Sequence, residues 1–283
     1  MSTTRIAKFA WGVLIFQLAV VSLGAAMKLN GYESGCGRTW PLCNGGLFPG
    51  SSDPAALWAY LHRLSSGLSF LFVIGLWIWA GRVAEKRSPL RISSGFSAGV
   101  MLVQVLVGLL LVWAIGLPTS YQIFSAFHLL AAFILLASLA LTAYWSSGGE
   151  PLRFQGHGIG YWMFGLALLA VLGVLMRGYA LVCFNVSLVQ IYLLFMSLLV
   201  SMFRVTPLIR RLALMLIICV LVHAIIGGLS LALSAPAWAQ FLAFLIVCLE
   251  WIILVLFAAA NFAASEVSQT MVDFTPPSSI QPS

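Results

Sequence analysis

Eight apolar stretches, each close to the length that crosses a lipid bilayer, leave this chain few folds to choose from. They run approximately over 9–27, 57–80, 95–116, 122–145, 159–176, 186–203, 212–233 and 238–263. A hydrocarbon core about 30 Å thick takes roughly 20 helical residues. Backbone inside lipid must also satisfy its own N–H and C=O groups, which a helix does within one segment. With 62% of its residues hydrophobic and 7% charged, the chain has too little polar surface to cover a soluble globule of 283 residues. The expectation is an all-α polytopic membrane protein with eight transmembrane helices and the lipid membrane as its surroundings.

The net charge of +7 does not point to a nucleic acid, because the basic residues sit in short clusters between apolar runs. Arg5 and Lys8, then Arg82, Lys86, Arg87 and Arg91, then Arg153, then Arg204, Arg210 and Arg211 alternate with the sparser Lys28, Arg38, Arg63 and Arg177. Short cytoplasmic loops carry the excess of Lys and Arg. That bias predicts a multi-pass protein of the cell membrane with both termini cytoplasmic and the segment between the first two runs on the outer face. Arg5 and Lys8 before an apolar stretch resemble a signal peptide, but no small-residue cleavage site precedes Lys28, so the first run is read as a retained anchor.

Short matches recur in order along the two halves. LGAAMK (Leu23 to Lys28) is echoed by LGVLMR (Leu172 to Arg177), each followed by Gly-Tyr and then a cysteine. QVLVG (Gln104 to Gly108) ends ten residues before Pro118, and HAIIG (His223 to Gly227) ends nine before Pro236. The pattern predicts two duplicated four-helix bundles in parallel orientation. The first half is 1–150, the second, degenerate half is 151–263, and a polar cytoplasmic tail covers 264–283.

The polar interruption CGRTWPLCNGGLFPGSSDPAALWAYLHR, from Cys36 to Arg63, is the most informative segment. Cys36 and Cys43 lie seven positions apart among turn formers, so a disulfide is expected if the loop faces an oxidising compartment. Two unpaired thiols are the plain alternative. Cys219 and Cys248 read as small apolar residues within membrane helices.

Two of the four histidines, His62 and His128, fall about one turn inside the outer ends of the second and fourth runs. Ser65, Ser66 and Ser69 share a face with the first, and Ser125, Ala131 and Ala132 with the second. Small neighbours leave room for a flat, bulky group, and two inward imidazoles on facing helices of a bundle are a natural way to hold haem iron. An interhelical hydrogen bond from each histidine is the simpler alternative. Arg63 could meet a haem propionate or anchor the helix end. His157 reads as solvated, and His223, matching Gln104 in the repeat, as a packing or hydrogen-bonding residue. Glu250, near the middle of the last run, is expected to be protonated, paired or turned inward.

At these residues the chain resembles the haem A synthase family, membrane enzymes that make haem A for cytochrome c oxidase. The resemblance is carried by LGAAMK, ESGCGRTWPLCNG, YLHRLSSG, QVLVG and the Pro118 turn followed by AFHLL. It covers the whole eight-helix plan and is strongest before residue 145. It implies that each half is a four-helix bundle able to hold haem between two histidines, one haem being a b-type cofactor and the other the haem O substrate, whose methyl group becomes a formyl. By resemblance His62 and His128 are the axial ligands of the first half and Cys36–Cys43 an outer disulfide.

The chain departs from the family pattern in two places. The family's Glu three residues before the second-helix histidine is Ala59 here, and neither the sixth nor the eighth run contains a histidine. One haem per chain, b or O/A in type, is therefore expected, and no catalytic residue is assigned. The leading reading is a divergent haem A synthase, with haem as substrate and haem O synthase or oxidase-assembly proteins as partners. The alternative is a non-catalytic haem-binding or assembly protein that kept one bis-histidine site. A small-molecule transporter rests only on the repeat and Glu250.

Overall fold

The computed structural model describes residues 2–50, 52–152, 206–234 and 236–264. The fifth and sixth apolar runs, Arg153, His157, Arg177, Cys183, Arg204 and the tail beyond Ala264 lie outside the described residues. Within them the chain forms α1 (Ser2–Leu29), α2 (Pro54–Val83), α3 (Pro89–Trp113), α4 (Pro118–Ser146), α5 (Pro207–Ala232) and α6 (Ala237–Ala264). All six are long and apolar enough to cross a membrane. No strand occurs among the described residues beyond an isolated bridge between Cys43 and Gly46.

Helix starts lie earlier than the apolar runs suggest: α2 to α5 begin at Pro54, Pro89, Pro118 and Pro207 rather than at 57, 95, 122 and 212. Proline suits the first helical position because its missing N–H would have no partner there. Asp53 and Ser88 cap α2 and α3, accepting from the backbone N–H of Ala55 at 3.3 Å and of Arg91 at 3.4 Å. The first turns of α3, α4 and α5 hold Arg91, then Thr119 and Ser120, then Arg210, so a hydropathy reading begins too late there. At its other end α3 stops at Trp113 rather than 116, because a turn closes there through Gly116 at φ +87°.

The first four helices close into a ring. α1 packs on α2 and α4, and α3 packs on α2 and α4, which puts α2 and α4 on one diagonal. α5 pairs with α6, and α6 lies against α4 and α1. Leu76, Leu135, Leu136, Leu139 and Phe257 are fully enclosed in the shared core. Where α3 meets α4, close approach comes from small residues joined by hydroxyls. Ser97 donates to Ser138 at 2.9 Å, and Thr142 donates to Ser93 at 3.0 Å. Ser69 of α2 similarly donates to Gln17 of α1. The Trp251 indole N–H ties α6 to α4 by donating to the Phe133 carbonyl at 2.8 Å. Large apolar side chains such as Leu71, Phe96, Ile218 and Ile225 point outward, as a protein solvated by lipid requires.

Candidate functional site

The loop between α1 and α2 is folded onto the start of α2. Cys36 and Cys43 form a disulfide, with Cα atoms 4.4 Å apart, and both are buried against Ala56 and Ala59, with Met27 and Tyr60 alongside. The Cys43 N–H donates to the Gly46 carbonyl at 2.8 Å, closing the tip. Gly35 lies so close to the backbone of Ala55 that any Cβ there would overlap it.

Arg63 fastens this loop to the helix. Its guanidinium donates to the carbonyls of Leu42 at 2.6 Å, Gly37 at 2.9 Å and Thr39 at 3.1 Å. Arg38 reaches the other way and donates to the Ile115 carbonyl in the α3–α4 turn. The loop therefore spans one end of the bundle, hereafter the disulfide end. Arg63 follows His62 in sequence but faces elsewhere, since neighbours on a helix point about 100° apart.

His62 and His128 stand on the diagonal pair α2 and α4. Because α2 begins at Pro54, His62 lies two turns into its helix rather than one, and His128 lies ten residues after Pro118. Each imidazole faces a glycine of a neighbouring helix. A Cβ on Gly24 of α1 would stand 2.8 Å from His62 Cε1, and a Cβ on Gly108 of α3 would stand 3.2 Å from His128 Cε1. Only glycine leaves each ring its present place.

Nδ1 of both histidines is buried without a hydrogen-bond partner. His128 Nε2 lies 3.3 Å from the side-chain amide of Gln104, whose Oε1 is buried without a partner. Ser65 and Ser66 donate to the His62 carbonyl at 3.1 and 2.6 Å. Above the pair, Lys28 in the last turn of α1 donates to Ser125 of α4, and its ammonium lies 5.7 Å from the centre of the Tyr121 ring.

These features fit a haem. A buried ring nitrogen without a partner is costly, by about 1–3 kcal/mol, and here two occur on helices facing across one bundle. A flat macrocycle needs only two axial donors and small residues beside them. A bare ion would need more, and among the described residues no cluster of three or more His, Cys, Asp or Glu side chains is present.

A second polar pair lies between α5 and α6. His223 Nδ1 approaches the Glu250 carboxylate at 3.3 Å, and Glu250 is buried. Glu250 is thus paired and turned inward, and His223 makes a polar interhelical contact, as their positions suggest. Gln104 and His223 each meet a polar group on the following helix: His128 for Gln104, Glu250 for His223. Cys248 is buried and Cys219 half-buried, both as free thiols in helices.

Sequence reasoning did not foresee the facing roles of Gly24 and Gly108, the Lys28–Ser125 contact, the loop-fastening role of Arg63, or the buried, partnerless Oε2 of Glu33. The two glycines lie in quoted motifs, LGAAMK and QVLVG, which were the only signal available.

Residues 7–190 match the COX15-CtaA family, described as cytochrome oxidase assembly protein. A protein of Thermus thermophilus named protoheme IX farnesyltransferase is 34% identical over 298 residues, covering 91% of this chain and 48% of that protein. The heme A synthase of Geobacillus kaustophilus is 31% identical over 159 residues, covering 53% of this chain and 50% of the relative. That of Symbiobacterium thermophilum is 35% identical over 100 residues, covering 35% and 32% respectively. The chain spans about half the length, or less, of these curated relatives. The family match covers well over half of the chain and includes the disulfide loop, both histidines and both facing glycines. The chain belongs to the COX15-CtaA family of cytochrome oxidase assembly proteins, the haem A synthase family.

Proposed function

We propose that this protein is a divergent haem A synthase that holds haem between His62 and His128 and oxidises the methyl group of haem O to the formyl of haem A, with water supplying the oxygen and an external electron acceptor taking the four electrons. The observation that carries the reading is the pair of buried, partnerless imidazole nitrogens on diagonal helices, each faced by a glycine. When bound, the haem supplies iron-centred redox chemistry and the methyl group to be oxidised. His62 and His128 would hold the haem iron, Gly24 and Gly108 give the two rings their places, and Ser65 and Ser66 fix the backbone beneath His62. The disulfide loop, held by Arg63, covers one end of the site and limits water there. Arg63 gives three of its five N–H groups to loop carbonyls, so it could also meet a propionate without releasing the loop.

A second reading has its own observation. Ala59 is 2% exposed and packed beneath the disulfide, and it offers no group to accept a proton. A family member without an acid at that position serves equally as a non-catalytic haem-binding or oxidase-assembly protein.

The finer architecture is part of the same proposal: eight transmembrane helices in two duplicated halves, 1–150 and 151–263, then a polar tail. Both termini are cytoplasmic, and the disulfide end faces outward from the cell membrane. The relative named protoheme IX farnesyltransferase supports a partner enzyme that delivers farnesylated haem.

The test is expression in a host that lacks its own synthase but makes haem O, followed by extraction and identification of haem from the purified protein. Haem O or A, lost in His62→Ala and His128→Ala and retained in His223→Ala, supports the synthase. Haem B alone, with no haem A in the host, supports the second reading. Unchanged haem content and six-coordinate spectrum in both ligand variants overturns the site.

A further inference from the structure

We propose that Lys28 is the carboxylate clasp of the haem site, taking a propionate of the porphyrin at the disulfide end. The assignment rests on the haem reading above and adds a residue to it. A porphyrin of this class is apolar except for its two propionates, which in a lipid-embedded bundle need a cation at one end of the pocket.

Among the described residues three cations lie near the disulfide end: Lys28, Arg38 and Arg63. Arg63 is engaged by three loop carbonyls and Arg38 by the Ile115 carbonyl, so both hold the fold together. Lys28 is placed differently. It follows Gly24 by four residues on α1, so the two share a face, and Gly24 is the residue that fronts His62. Its ammonium meets Ser125, three residues before His128 on α4 and on the same face as that ligand. From both helices, then, Lys28 sits about one turn, roughly 5.4 Å, beyond the histidine pair toward the disulfide end.

The Lys28–Ser125 contact also bridges α1 and α4 on the disulfide side of the two histidines. A hydroxyl is a partner that can turn to donate to an arriving carboxylate while the ammonium swings toward it. The flexible stem of lysine permits that movement without disturbing the backbone, whereas moving Arg63 would strip three carbonyls at once.

The experiment titrates the full-length protein in detergent with protohaem and with protohaem dimethyl ester, which lacks the two negative charges, following the six-coordinate spectrum. Wild type is expected to bind the diacid about tenfold more tightly than the diester, the scale of one charge-assisted hydrogen bond. Lys28→Met should lower diacid affinity to that of the diester while keeping the spectrum, Lys28→Arg should retain the preference, and Arg38→Met should leave it unchanged. Equal affinity of wild type for both porphyrins, or an undiminished preference in Lys28→Met, overturns the assignment of Lys28 alone. Absence of a six-coordinate spectrum with either porphyrin in wild type overturns the haem reading itself.

Discussion

Replacing Gly24 by alanine separates the geometry of the haem pocket from the stability of the bundle. The added methyl would stand 2.8 Å from His62 Cε1, 3.2 Å from Nδ1 and 3.4 Å from Nε2. Non-bonded carbons settle at about 3.5–4.0 Å, so the ring must retreat by roughly 0.7 Å or more. An imidazole is the far end of a side chain and turns at little cost. Alanine is meanwhile the better helix former by about 1 kcal/mol. Without haem, the variant should be as stable as wild type or slightly more so. Iron–ligand distances tolerate only about 0.2 Å, and displaced supports of a metal ligand weaken binding by roughly 10- to 100-fold.

Gly24→Ala should therefore lose haem affinity on that scale. Gly108→Ala, whose methyl meets His128 Cε1 at 3.2 Å, asks for a shift of only a few tenths of an ångström and should lose less. Haem titration followed by the low-spin absorption spectrum reads the first quantity, and thermal unfolding of the haem-free protein in detergent reads the second. Wild-type affinity in Gly24→Ala would refute the reasoning. So would a loss of affinity matched by an equal loss of haem-free stability, which would show a packing fault instead.

Three further outcomes follow from the loop and from the second polar pair. The thiols of Cys36 and Cys43 should resist alkylation in untreated protein; Cys36→Ser should lower stability by about 2.5 kcal/mol for a closed loop this short, and readily labelled thiols would contradict both. Arg63→Met removes a charged donor from three carbonyls and should cost about 2–4 kcal/mol while speeding reduction of the disulfide by dithiothreitol; an unchanged reduction rate would show that the clamp is idle. His223→Leu takes the imidazole from a buried carboxylate and should destabilise by roughly 3 kcal/mol, with the double variant His223→Leu, Glu250→Gln recovering much of the loss; additive losses in thermal unfolding would show that the two side chains act independently.

How much of this was legible beforehand depends on whether a feature is local. The six described helices were visible as apolar runs, because hydropathy records each segment's own contact with lipid. Their starts were not, although Asp53-Pro54 and Ser88-Pro89 are recognisable capping signals once sought. The similar depth of His62 and His128 could be counted from sequence, but their diagonal placement depends on which helices pack together. Gly24 and Gly108 show only that a side chain is missing, and what fills the space belongs to another helix. Arg63 is the converse case: proximity to His62 in sequence groups it with the ligand, yet the turn of the helix directs it to the loop. Glu250 announced the need for a partner without naming His223, 27 residues away.

The hydroxyl ladder between α3 and α4 closes the seam of those two helices at the end of the bundle remote from the disulfide. Ser97 and Thr142 are completely enclosed, as are Leu135, Leu136, Leu139, Ala140 and Ala143, so the α3–α4 seam at that end is shut by interlocked side chains. Nothing as broad as a porphyrin passes there without prising two helices apart and stranding several hydroxyls in lipid. For the haem site proposed above, that leaves the disulfide loop and the gaps between helices as the routes of loading and unloading.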